Sequence, residues 1–189
     1  MSRLQPLNVN ALTPAQQTLV QAVESGPRAA KHGRIGLMGP FGVWLRAPAV
    51  GQAAQAFGAV LRFQTQLPEN VKEVAICTVG AFYRAKFEFA AHAPLALAAG
   101  VDPAALEAIR SGVEPVLNDP GEALAHTLTT ALLTAHRLDD DVYRRAVEQF
   151  GEQGLVELVT LIGYYSQISL TLNAFEVELP DAMTDPFPD

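Results

Sequence analysis

The chain has 189 residues, a formal charge of −7, 49% hydrophobic and only 17% charged residues, and a single cysteine, Cys77. That length fits one domain with a real core, residues 1–189 in all. The acidic balance argues against a nucleic-acid partner, which would need a cationic face, and one cysteine excludes an intrachain disulfide framework or an all-cysteine metal site.

Lys and Arg are scattered, with Arg144–Arg145 the only adjacent pair. No apolar run reaches the ~18 residues of a membrane span, and the start MSRLQPLNVN does not read as a signal peptide. A soluble, cytoplasmic protein with no membrane partner is expected. The low charged fraction leaves apolar surface for subunit contacts.

Helix signals dominate from the start. Thr13-Pro14-Ala15-Gln16 places a capping Thr before a Pro at the first helical position, with Gln three residues on, and Gly26 would stop that helix. Residues 27–47 are Gly-rich without a sustained helical period. They read as an irregular, partly buried segment in which Phe41, Val43, Trp44 and Leu45 have apolar work, either as a lid or pocket wall or as a loop packed by its own aromatics. Pro48 opens the next helix, through Ala54, Phe57, Val60, Leu61 and Gln64. Leu67-Pro68-Glu69 restarts a helix toward Phe82. A break near Tyr83-Arg84 precedes KFEFAAHAPLALAAG, residues 86–100, a helix that Gly100 ends. Asp102-Pro103 reads as N-cap and first turn of a short helix to about Arg110. Asp119-Pro120-Gly121-Glu122 repeats that grammar for a helix to about His136. Asp139 to Phe150 and Glu152 to about Phe175 complete the set, and the acidic EVELPDAMTDPFPD reads as extended. No strand alternation is present, so the fold class is all-α. A weak echo relates VKEVAICTVGAFY (71–83) to LVELVTLIGYYSQ (155–167), with Glu73 over Glu157, and suggests two similar helical hairpins.

The helix 86–98 is mostly Ala, Leu and Phe, yet Glu88 and His92 lie one turn apart on one face. Phe87, Phe89, Leu95 and Leu97 read as its core side. Glu73 occupies another apolar helix, with Cys77 one turn on, and needs a partner if buried. A hairpin would bring Glu73 to His92 or Glu88. Spacing alone leaves two readings open. The pair is either a partly exposed ion pair worth ~0.3–0.5 kcal/mol, which spacing favours, or a buried His oriented by carboxylates for proton transfer. No HExxH or paired ExxH motif is present, so neither metal nor cofactor is expected. His126 and His136 read as surface or boundary residues and His32 as a loop residue.

The order Glu73, then KFEFAAHAPLALAAGV, resembles the carboxymuconolactone decarboxylase family, which includes the alkylhydroperoxidase D proteins. The likeness extends to GPFGVWLRAP (39–48), LPENVKEVAI (67–76) and residues 151–180, covering roughly 30–180. It implies an alkylhydroperoxidase D-like helical bundle. Where that family's motif has two cysteines and a His, this chain has Ala85, Glu88 and His92, so disulfide-based peroxidase chemistry has no thiols to run on. What remains, Glu73, Glu88 and His92, suits an acid–base lyase acting on a small lactone or enol-type substrate. The alternatives are a ligand-binding protein on the same scaffold, or a peroxidase using Cys77 alone. A carboxylated substrate would want an Arg clamp, for which Arg34, Arg46 and Arg84 are candidates. Phe41, Trp44 and Tyr83 are candidates for an apolar wall. The resemblance also implies a homo-oligomer, a trimer or hexamer.

Overall fold

The computed structural model of the protein describes residues 2–26 and 36–188. His32 and Arg34 therefore lie outside the described residues. Among the described residues every regular element is helical and no strand occurs, so the chain is all-α. It divides into two compact units, Met1–Thr65 with Thr171–Glu178, and Gln66–Leu170 with Leu179–Asp189.

The first unit holds α1 (Pro14–Glu24), α2 (Gly39–Trp44) and α3 (Pro48–Phe63). Thr13 and Gln16 form the capping box expected of α1, each side chain satisfying the other's backbone N–H. The span 39–44 differs from the irregular segment expected there. Pro40 stands in its first turn, and Val43 and Trp44 are buried from it, so packing sustains a short helix without a sequence period. Gly51 marks a close approach between side chains inside this unit. A Cβ there would lie 2.5 Å from Leu19 Cδ2 and 2.8 Å from Trp44 Cβ.

The second unit contains α4 (Glu69–Phe82), α5 (Lys86–Ala98), α6 (Pro103–Ser111), α7 (Pro120–Thr134) and most of α8 (Asp140–Ala174). Ten consecutive residues of α4, Val71 to Gly80, are buried. A helix buried on every face must be surrounded, and α5, α6 and α7 all pack against it. The expected caps are in place. Asp102 accepts from the N–H groups of Ala104 and Ala105, Asp119 accepts from that of Glu122, and Gly100 has φ 95° just beyond α5. Within α8, Gly151 is non-helical (φ 69°, ψ 169°), so a break separates the two helical stretches read from the sequence. By length and composition α8 could cross a membrane, with a mean hydropathy of 1.3 over its most apolar window, but half of that window is buried inside the protein.

One expectation about α5 is reversed. Phe89 is buried, but Phe87 and Leu95 are only half-buried and Leu97 is 45% exposed. The inward line is instead Glu88, His92 and Ala96, each one turn from the next. Leu97 lies nine residues beyond Glu88, half a rotation away around the helix, which turns it outward. The polar face is the one that meets the interior.

Candidate active site

Glu73 is fully buried in the middle of α4. Moving a lone carboxylate from water into such surroundings costs several kcal/mol, so the fold has to supply a counter-charge or donors. His92 of α5 supplies it, with Nδ1 2.7 Å from Glu73 Oε2. That length is typical of a charge-assisted hydrogen bond. Close packing of the two helices makes the contact possible. Gly80 faces Phe89, where an added Cβ would meet the Phe89 nitrogen in ordinary contact at 3.4 Å. The turn between them closes through an Ala85 N–H to Gly80 carbonyl bond of 2.8 Å.

The second ring nitrogen is also engaged. Nε2 of His92 lies 3.2 Å from Glu88 Oε1. Glu88 stands in the first turn of α5, where unsatisfied amides favour a negative charge. The edge-to-face ring of Tyr165 from α8, 5.1 Å between centroids at 81°, packs against the imidazole. Tyr165 is itself buried and stacks edge-on to Tyr164. Side-chain exposures are 0% for Glu73, 5% for Glu88 and 12% for His92, so the approach from solvent is on the His92 side.

These surroundings raise the His92 pKa from 6.5 to about 9. Burial is the largest single influence and pulls downward. The charge of Glu73 and its hydrogen bond, then the hydrogen bond and charge of Glu88, together outweigh it. At neutral pH the ring is an imidazolium donating both N–H groups to carboxylates. It can give up a proton, take one back, and keep its orientation throughout.

The three residues expected to act together are thus brought together, and the partly exposed ion pair is set aside. The proposed wall is not assembled in this unit. Phe41 and Trp44 belong to the first unit, where they pack edge to face at 5.6 Å. Arg46 is there as well, its guanidinium donating to the carbonyls of Gly42 and Gln5. Tyr83 caps the end of α4 and packs edge-on to Phe82 at 5.1 Å. Arg84 follows it with φ 48°, in the left-handed region. Cys77 is buried one turn from Glu73. Glu157, matched to Glu73 by the internal echo, is only half-buried and accepts from Gln66 and Gln153 instead. His126 lies deeper than expected at 9% exposure. Burial lowers its pKa against the opposing charge of Glu114. His136 is exposed.

Among the described residues no group of three or more His, Cys, Asp or Glu side chains is arranged to hold a metal ion. Tyr165 is the site residue that sequence reasoning missed. The only available signal was the aromatic pair following Glu157 in the echo. No family model matches the sequence, and no curated protein matches it.

Proposed function

We propose that this protein is an acid–base lyase of the carboxymuconolactone decarboxylase kind, with His92 as the proton carrier. The observation that carries the reading is a buried imidazole held at both nitrogens by Glu73 and Glu88. In the reaction the bond to a substrate carboxylate breaks and CO2 leaves. Its electron pair passes into the lactone as an enolate-like carbanion, and His92 delivers a proton to that carbon. Water then returns a proton to the imidazole, so one proton is consumed per CO2 released. Glu73 fixes the ring and supports its charge. Glu88, at the longer 3.2 Å contact, is the group a substrate displaces from Nε2. Arg84, in the turn that leads into α5, is the candidate to hold the carboxylate. The test is CO2 release from carboxylated lactones in deuterated water, with deuterium appearing at the former carboxyl-bearing carbon.

A second reading, ligand binding without turnover, is favoured by one observation: the site is nearly closed and both His92 nitrogens are already engaged. In that case His92→Gln leaves ligand affinity unchanged and no lactone is consumed.

Peroxidase chemistry through Cys77 has little support, since the thiol is fully buried. Hydrogen peroxide at several equivalents is expected to leave Cys77 as a thiol, measured by intact mass with the fold retained. Rapid sulfenate formation would restore the peroxidase reading.

The protein is further proposed to assemble as a homo-oligomer. Val156, Val159 and Leu170 are exposed on α8 at 65%, 39% and 54%. Gly163 lies among them with open space where its Cβ would be. Val159→Arg is expected to reduce the sedimenting mass of an assembled wild type to that of a monomer. An unchanged mass would place subunit contacts elsewhere.

A further inference from the structure

The segment that follows Leu179 is pinned to the elements leading into the site. Phe187 is 3% exposed, with its ring edge-to-face with Phe89 at 5.3 Å between centroids. The Arg84 guanidinium lies 5.3 Å from the centre of the same ring. Asp185 Oδ2 receives Lys86 Nζ at 2.7 Å, and its Oδ1 accepts the Phe187 N–H at 2.8 Å. The Pro186 carbonyl accepts from Arg110 at 2.6 Å. Three of these anchors sit around one residue, because Lys86 and Phe89 flank Glu88 in the first turn of α5 and Arg84 lies in the turn that feeds it.

The opening of α5 lacks a side-chain cap, as do those of α2, α3 and α4. Thr13, Asp102 and Asp119 cap α1, α6 and α7 with side-chain oxygens, whereas Ala85 has none to offer α5. Arg84 is also in a left-handed conformation that glycine would adopt without strain. An arginine there is accounted for by its guanidinium on Phe187, whose neighbour Asp185 also feels the Arg84 charge.

We infer that Asp185–Phe187 is a strap that positions Glu88, clamping the uncapped first turn of α5 so that the carboxylate rests on His92 Nε2 until a substrate takes its place. This deepens the acid–base reading and rests on it, since the setting of Glu88 bears on function only if His92 exchanges a proton. Glu88 and the strap residues are positioning groups; His92 carries the proton. The groups facing His92 are Glu73 from α4, Glu88 from α5 and the Tyr165 ring from α8. The strap contacts Lys86 and Phe89 and acts through the backbone of residues 86–89.

The test uses the full chain labelled with 15N in its histidine rings, titrated by NMR as wild type, Phe187→Ala, Asp185→Asn and Glu88→Gln. Phe187→Ala is expected to lower the His92 midpoint toward that of Glu88→Gln. Amide exchange at residues 86–90 should quicken by about tenfold, as expected for a loosened local unit. Asp185→Asn, which preserves the aromatic contact, should move both readouts the same way by less. A folded Phe187→Ala protein with wild-type His92 titration and wild-type exchange at 86–90 overturns the strap. If Phe187→Ala does not fold, Asp185→Asn and Phe187→Leu decide by the same two readouts. Shifted titration in these variants, in a protein that releases no CO2 from any lactone, upholds the strap and sinks the lyase reading. Turnover with an unshifted titration does the reverse.

Discussion

His92→Leu is expected to abolish proton transfer and to destabilise the protein by ~3–5 kcal/mol, the cost of leaving a buried charge without its counter-ion. Loss of a positioned general acid or base lowers kcat by about 10²–10⁴-fold. The stability loss would be read from urea midpoints at pH 7, together with CO2 release. Glu73 is the reason for the size of the effect. Its carboxylate is fully buried in α4, and His92 is the cation within 2.7 Å of it. A double variant, Glu73→Leu with His92→Leu, removes both charges and should recover much of the stability while remaining inactive. The two changes are therefore strongly non-additive. Equal stability of His92→Leu and wild type would mean that the carboxylate is not ionised in the folded protein, and the electrostatic account of the site would fall.

The second large effect is on pH dependence. A histidine whose pKa is about 6.5 unfolded and about 9 folded binds its proton more tightly in the native state. Its stabilising contribution is complete below pH ~6.5 and fades as the pH rises through ~9. At ~1.4 kcal/mol per pKa unit the loss across that window is about 3 kcal/mol. Urea midpoints at pH 6, 7.5 and 9.5 should decline in that order. In Glu73→Gln the largest upward influences on the ring disappear, so the decline between pH 7 and 9.5 should shrink. A midpoint that rises with pH over this range would show that the imidazole is neutral in the fold. On the proposed lyase reading, the same titration predicts a kcat/KM that is flat across the neutral range and falls only above pH ~9.

Helix ends were the most legible feature of the sequence, because Thr13, Asp102, Asp119 and Gly100 act on backbone groups within a few residues. Glu73, Glu88 and His92 were also legible as candidates, the last two from helical spacing. Which face of α5 turns inward was not. Periodicity defines faces but does not rank them, and α5 buries Glu88 and Ala96 while Leu97 meets solvent. The helix at 39–44 was hidden because its six residues are too few for a period to register. Hydrophobicity marks Phe41 and Trp44 as candidates for an apolar wall but cannot say what an aromatic packs against. Tyr165 and the strap required contacts between distant stretches, such as Lys86 with Asp185 across 99 positions. Nothing local in either stretch encodes such a pairing.

The all-round burial of α4 bears on how the chain is made. Its covering helices α5, α6 and α7 all follow it in sequence, and the last of them ends at Thr134, 52 residues after Phe82 (134 − 82). At synthesis rates of ~5–20 residues per second, α4 leaves the ribosome about 3–10 s before its cover is complete. During that interval an apolar helix bearing an uncompensated Glu73 is open to other nascent chains and to chaperones that bind exposed hydrophobic segments. Arrival of α5 brings His92, so the first contact able to neutralise Glu73 also begins to bury the helix. The residues proposed to carry the chemistry would then help to bring the nascent domain safely to its fold.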